Sequence, residues 1–165
     1  MHCAGIQSCE ALRFIETDSM QETLQLNLMS PTLLTQEIRK KRIFNKNSSI
    51  VFLSSVAALM GSAGVSIYAA SKAAITALTK SLAVELAADN IRVNCVAPAI
   101  VRTEMTEKMF LHRGKEKTGI LEKKHLLGFG KPEDIANIIA FLLSDAAKWF
   151  TGSCIVADGG YSLDG

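Results

Sequence analysis

Three short apolar runs constrain the fold of this 165-residue chain more than any other feature of its sequence. They cover residues 49–54, 91–97 and 153–157. A continuous apolar run of this length is typical of a strand buried on both faces of a parallel sheet. The runs alternate with helical patterns at residues 66–88 and 132–144. The order strand, helix, strand, helix, strand therefore predicts an open α/β sheet with crossover helices.

A further helix is predicted ahead of the first strand, over residues 19–43. Ser19 and Glu22 have the spacing of a capping box, which opens a helix. Pro31 lies inside the predicted helix, and a proline there leaves the carbonyl of Asn27, four residues earlier, without its donor. We therefore expect a group outside the helix to satisfy that oxygen.

Polar residues that could take part in catalysis follow the first predicted strand. Ser55 comes directly after it, and ligands of open parallel sheets bind at the carboxyl ends of strands. Tyr68 and Lys72 are four residues apart on the next predicted helix, so they share one face. Because an adjacent ammonium favours a phenolate, we expect Lys72 to lower the pKa of Tyr68 from its ordinary value near 10. This spacing predicts a proton-transfer site beside Ser55.

These residues resemble those of a known family. Asn27, Ser55, Tyr68 and Lys72 match in type, order and spacing the catalytic tetrad of the short-chain dehydrogenase/reductases. Residues 2–6 resemble the family's Asn-Asn-Ala-Gly-Ile signature with both asparagines replaced, and residues 94–99 resemble its Asn-x-x-x-Pro-Gly signature. Within the family the chain most resembles 3-oxoacyl-acyl-carrier-protein reductases, which act in fatty acid biosynthesis. The resemblance implies a Rossmann-like, doubly wound parallel sheet and an oxidoreductase that interconverts a carbonyl and an alcohol with NADP or NAD.

The resemblance also implies a role for each residue. Tyr68 would be the general acid and base, and Lys72 would lower its pKa and bind the nicotinamide ribose. Ser55 would hydrogen-bond the substrate carbonyl, and the backbone carbonyl of Asn27 would hold a proton-relaying water. Ala4 and Gly5 would lie near the adenosine end of the cofactor. The other expected cofactor contacts, toward its nicotinamide and pyrophosphate, are Pro98, Ala99, Val101 and Thr103.

Simpler interpretations of the same residues stay open at this point. Tyr68 and Lys72 could be an unrelated pair on a helix surface, and Asn27 an ordinary polar helix residue. Pro98 could only end a strand, and Thr103 could only cap a helix. A serine hydrolase is disfavoured, because the sequence has no Gly-x-Ser-x-Gly elbow.

One element of the family pattern does not occur in the sequence, namely the phosphate-binding Thr-Gly-x-x-x-Gly-x-Gly. On the family's seven-strand plan, residues 1–165 would form a single partial domain that holds the last three strands, with a substrate lid at residues 103–130. That segment is expected to begin with a short helical stretch near residues 104–111 and to continue as a lysine-rich, glycine-containing connection. The first of these strands would then become an apolar edge. Two functions follow: an oxidoreductase whose N-terminal half lies outside these 165 residues or is supplied by another segment, or a truncated, non-catalytic dimerisation module.

Composition narrows the range of partners. A net charge of +2 gives no basic field, so we expect no nucleic acid. No apolar stretch approaches the roughly 20 residues of a membrane span, and no secretory signal is visible, so we expect no membrane and a cytoplasmic location. The four cysteines have no metal-ligand spacing, and a metal is not expected. The expected partners are a small-molecule or acyl-thioester carbonyl substrate and, by resemblance, further copies in a homodimer or homotetramer.

Overall fold

The computed structural model describes residues 1, 3–41, 43–45 and 47–163; the side chains of Met105 and His112 lie outside that description. Its centre is a parallel sheet with strand order β1-β2-β3. The strands are β1 (Ser49–Leu53), β2 (Arg92–Pro98) and β3 (Cys154–Ala157). The three predicted strands are therefore confirmed to within one residue at each end.

Helices flank the strands in the predicted order. They are α1 (Thr17–Leu24), a π-helical turn (Gln25–Met29), α2 (Ser30–Lys40), α3 (Ser66–Leu86), α4 (Glu104–Arg113), α5 (Lys115–Lys123) and α6 (Pro132–Leu143). The crossovers α3 and α6 contact β2 and β1. Rossmann-like α/β architecture with parallel strands is confirmed.

The sheet separates two apolar clusters, because successive side chains of a strand point to opposite faces. Val93 and Cys95 of β2 pack with α3, where Ile75 and Ala83 are buried. Val96 points the other way and packs with α6. The α6 cluster also contains Val51, Ile135, Ile139, Leu142 and Ala147. Both faces of the sheet are thus buried, as the continuous apolar runs require.

Strand β1 occupies an edge of the sheet, with β2 as its strand partner among the described residues. Its predicted edge position is confirmed. Its side chains are nonetheless covered, since Val51 and Phe52 are 0% and 2% exposed. Helices α3 and α6 account for this burial, so the apolar side chains of β1 are covered and the edge is not an exposed apolar one.

Three local predictions were wrong. The first helix begins at Thr17, two residues before the predicted cap, and Ser19 donates its hydroxyl to Glu10 at 3.3 Å instead of capping. The helix ends at Lys40 rather than at residue 43, and Arg42 lies outside the described residues. The lysine-rich connection after α4 is helical, because α5 follows Gly114 directly.

No helix in the described ranges combines the length and the apolar character that crossing a bilayer requires.

Replacement of Leu142 should show how much stability the α6 face contributes. Leu142 is fully buried, so Leu142→Ala should lower the free energy of unfolding by about 2–5 kcal/mol through lost burial and a cavity. Leu127→Ala is the matched control, because Leu127 is 87% exposed, and it should change stability by less than about 0.5 kcal/mol. Urea unfolding measures both. Equal effects of the two substitutions would contradict the described packing.

Candidate active site

The amide of Asn27 links the N-terminal segment to α3. Its Oδ1 accepts from the Ile6 N–H at 2.9 Å, and its Nδ2 donates to the Ile6 carbonyl at 2.9 Å and to Ser71 Oγ at 3.0 Å. Ser71 in turn donates to the Tyr68 carbonyl at 2.7 Å. Asn27 is 2% exposed and Ser71 is fully buried. Since every polar atom of this amide is used in a dry setting, Asn27 is more than an ordinary polar helix residue.

The backbone at Asn27 departs from a regular α-helix. Residues Gln25–Met29 form a π-helical turn, in which the Ser30 N–H donates to the Gln25 carbonyl five residues earlier. Pro31 lies at the start of α2, one residue after this turn. The wider turn accommodates the proline without ending the helix, and it places Asn27 toward Ile6. The expected water on the Asn27 carbonyl remains a prediction.

Two serines follow β1 and have different partners. Ser55 caps the short helix Val56–Ala58, and its Oγ accepts from the Ala57 N–H at 3.2 Å. Ser54 donates to the Lys72 carbonyl at 2.9 Å and lies 2.9 Å from Thr76 Oγ1. Ser54 therefore holds α3 against the end of β1. Ser55 instead lies at the start of the short helix Val56–Ala58.

Tyr68 and Lys72 share a face of α3, as their spacing predicts. The Lys72 ammonium nitrogen lies 5.7 Å from the centre of the Tyr68 ring and donates to the Leu53 carbonyl at 3.0 Å. Lys72 is only 6% exposed. A buried lysine that takes its partner from the last residue of β1 is not part of an unrelated surface pair.

The ionisation of this pair differs from the expectation. Burial raises the pKa of Tyr68, and a hydrogen bond with the Ser55 side chain lowers it by less. Burial also lowers the pKa of Lys72, which the charge of nearby Cys3 partly offsets. The predicted lowering of the Tyr68 pKa by Lys72 is therefore wrong for this arrangement, because desolvation of the phenolate exceeds the other effects.

A cavity of about 560 Å³ adjoins these side chains. It lies between the carboxyl ends of β1 and β2, the N-terminal segment and one face of α6. Eight of the residues expected at the site line it: Gly5, Ser55, Tyr68, Lys72, Pro98, Ala99, Val101 and Thr103. The structure thus brings together residues that are up to 98 positions apart in the sequence.

Two expected site residues do not line this cavity. Asn27 lies behind Gly5, since a Cβ at Gly5 would be 3.2 Å from Asn27 Oδ1 and 3.4 Å from Lys72 Nζ. Ala4 is absent from the cavity wall, and His2 of the same signature lies outside the described residues. Gly5 therefore lies close to Lys72, and a side chain at this position would require its neighbours to move by a few tenths of an ångström.

Thr103 serves as a helix cap as well as lining the cavity. Its Oγ1 accepts from the Thr106 N–H at 3.4 Å, and the Thr106 hydroxyl accepts from the Thr103 N–H at 2.8 Å. This reciprocal arrangement opens α4. The simpler interpretation of Thr103 as a cap is confirmed, and it leaves the residue in the cavity wall.

The segment at residues 103–130 begins and ends at one point of the fold. Val101 and Gly130 form a parallel bridge, in which the Arg102 N–H donates to the Gly130 carbonyl at 2.8 Å. The Arg102 guanidinium pairs with Glu107 and Glu122, on α4 and α5. The two ends of the segment are therefore held together beside the cavity. Its action as a lid remains a prediction.

Sequence reasoning missed three residues that organise the site. These are Ser54, Ser71 and Thr106, and each uses its hydroxyl to hold a backbone or side-chain group in place. Ser71 stands between Tyr68 and Lys72, a position that offered a signal. A serine inside a helix, beside two candidate residues, indicates that its hydroxyl has a hydrogen-bond partner.

Comparisons with known proteins agree with this site. A family model described as enoyl-(acyl carrier protein) reductase matches residues 1–162. The chain is 40% identical to a 3-oxoacyl-acyl-carrier-protein reductase of Thermotoga maritima over 157 residues, 95% of this chain and 63% of that protein. It is 37% identical to dehydrogenase/reductase SDR family member 4 of Pongo abelii over 91% of this chain and 54% of that protein. The chain thus spans roughly half to two thirds of these curated relatives.

Solved structures give the same result for the fold. A 4-hydroxyisoleucine dehydrogenase complexed with NADH superimposes with a TM-score of 0.90 at 34% identity, over 98% of this chain and 66% of that one. The ligand-free aldohexose dehydrogenase of Thermoplasma acidophilum gives 0.90 at 30% identity, with the same coverage. Fold, site and relatives together define the class: the chain belongs to the short-chain dehydrogenase/reductase family.

Titration of Tyr68 tests the electrostatics of the site. The chain has two tyrosines, so in a Tyr161→Phe background the near-ultraviolet phenolate absorbance reports Tyr68 alone. We expect its midpoint above the ordinary value near 10, because burial favours the neutral phenol. Ser55→Ala should raise the midpoint further, since it removes the hydrogen bond that lowers it.

Ser62→Ala is the control, because Ser62 is exposed, and it should leave the midpoint unchanged. A Tyr68 midpoint at or below about 10 would contradict the account of a buried, protonated phenol.

Proposed function

We propose that this chain carries the proton-transfer residues of an NAD(P)-dependent oxidoreductase that interconverts a carbonyl and an alcohol. One observation supports this above all. Tyr68, Lys72 and Ser55 line one cavity at the carboxyl end of β1, although they come from two different elements. In this proposal residues 1–165 form a single partial domain that includes this site.

Tyr68 acts as the acid when the carbonyl is reduced. Its raised pKa keeps it protonated at neutral pH, so the phenol holds the proton that the substrate oxygen requires. Ser55 lines the same cavity and offers a second hydroxyl to that oxygen. When the alcohol is oxidised the proton moves in the opposite direction, so Tyr68 must first lose its own proton, which its raised pKa disfavours at neutral pH.

The residues around the cavity suit the nicotinamide end of the cofactor. The Lys72 ammonium and the Thr103 hydroxyl can donate hydrogen bonds, and Pro98 and Val101 offer an apolar wall to a planar ring. When it is bound, the nicotinamide supplies the hydride. The charge of Lys72 also reaches the cavity, where it favours an anionic oxygen during proton transfer.

The proposed substrate is a 3-oxoacyl thioester, which would place the protein in fatty acid biosynthesis. The support is the 40% identity to a reductase of that name and the apolar α6 face of the cavity, formed in part by Ile135 and Ile139. A cytoplasmic location and a homo-oligomer complete the proposal. In the second candidate function the chain acts only as a dimerisation module, and the half-exposed Leu33 and Leu34 on α2 favour it.

A joined protein distinguishes these functions. The chain covers 63% of the Thermotoga maritima reductase, and it would be fused behind that protein's N-terminal part, where the proposal expects the phosphate-binding element. We expect nicotinamide fluorescence to show cofactor binding, and 3-oxoacyl thioesters to be reduced faster than keto sugars or steroid ketones. A folded joined protein that binds no cofactor and reduces none of these carbonyls would contradict the proposal and leave the dimerisation module.

Within that protein, Tyr68→Phe should lower kcat by about 10²–10⁴-fold, because it removes only the acidic proton. Tyr161→Phe is the matched control and should retain activity, since Tyr161 packs on His125 away from the cavity wall. Steady-state kinetics with each variant checks this. Equal rates for the two variants would exclude Tyr68 as the acid.

A further inference from the structure

Two cysteines that the proposed function does not use lie side by side in the sheet. Cys95 of β2 and Cys154 of β3 are register partners in parallel strands, and both point to the α3 face. Cys95 is fully buried, whereas Cys154 is half-buried. Both are free thiols. The arrangement therefore pairs one fully buried thiol with one that is only partly buried.

Their spacing is compatible with a covalent bond. Neighbouring strands lie about 4.8 Å apart, and disulfides form between residues whose Cα atoms are roughly 4.4–6.8 Å apart. Both side chains pack on the α3 face, so the two sulfur atoms lie on the same side of the paired strands. Formation of a disulfide thus requires small side-chain movements and no change of strand register.

The surroundings activate one of the two sulfur atoms. The hydrogen bond from Cys95 lowers the pKa of Cys154 to about 6 against the effect of burial, with smaller contributions from Thr76 and from the positive charge of Lys80. The same hydrogen bond, together with burial, raises the pKa of Cys95. The shift favours the thiolate on Cys154 and the thiol on Cys95, and the thiolate is the reactive form of cysteine.

We propose that Cys95 and Cys154 form a peroxide-reactive dithiol site, in which oxidation joins β2 to β3 through a disulfide. The inference goes beyond the proposed function, because neither cysteine lines the cavity of Tyr68 and Lys72. Cys154 supplies the reacting sulfur and Cys95 resolves the product.

The reaction balances with a hydroperoxide as the oxidant. The Cys154 thiolate attacks one peroxide oxygen, the O–O bond breaks, and an alkoxide or hydroxide leaves and takes up a proton. Cys154 is then a sulfenic acid. The Cys95 sulfur attacks it, the S–O bond breaks, and water leaves with the Cys95 proton. Two thiols have been oxidised by two electrons, and the peroxide has been reduced to an alcohol or water.

Peptide mapping tests this directly. The full chain would carry Cys3→Ser and Cys9→Ser, which remove the two exposed thiols. It would be treated with hydrogen peroxide, alkylated, and digested with trypsin without reduction. We expect residues 93–102 and 149–165 to appear as one linked species, two hydrogen atoms lighter than their sum. A reductant such as dithiothreitol should separate them. If both peptides stay alkylated and unlinked after this treatment, the proposal is overturned.

Trapping of the intermediate assigns the two roles. In Cys95→Ala the linked species should vanish and dimedone should label Cys154, because its sulfenic acid has no resolving thiol. In Cys154→Ala, Cys95 should remain unlabelled, since it is buried and protonated. Labelling of Cys95 but not of Cys154 would contradict the assignment. The unmutated cysteine pair in the first experiment keeps the test valid if either alanine variant fails to fold.

Discussion

The site depends on one buried amide. Asn27 joins three parts of the chain: the N-terminal segment at Ile6, the π-helical turn of its own helix, and Ser71 on α3. Because an unpaired amide in a dry interior costs about 1–3 kcal/mol, loss of any one of these hydrogen bonds destabilises the arrangement. Their formation leaves Gly5 against Lys72 and closes one side of the cavity.

The sheet supplies the rest of the geometry. The Leu53 carbonyl ends β1 and accepts from Lys72, and Ser54 ties the same turn of α3 to the strand. These bonds cross from the strand end to the helix face, which is why the carboxyl edge of a parallel sheet collects polar residues. Burial of Tyr68 follows from that closeness and sets the sign of its pKa shift. The packing of α3 against the end of β1 therefore also determines the direction in which the pKa of Tyr68 is shifted.

Much of this could be predicted from the sequence, for identifiable reasons. The apolar runs predicted the three strands, and the spacing of Tyr68 and Lys72 predicted that these residues share one face of a helix. Both predictions succeeded because the patterns are local. The Tyr68 pKa could not be predicted, since desolvation depends on what packs against the ring. Nor could the partners of Asn27, which lie 21 and 44 residues away. Ser19 shows the reverse case, where a local capping pattern was overruled by Glu10.

Amide hydrogen exchange at Ile6 tests the central claim most directly. Its N–H donates to Asn27 Oδ1, so we expect it to exchange as slowly as amides of β2, although it lies in no helix or strand. Asn27→Ala should release it to the rate of an exposed loop, while Gln25→Ala, at an exposed position of the same π-helical turn, should not. Rapid exchange of Ile6 in the unmutated chain, or protection that survives Asn27→Ala, would contradict the account.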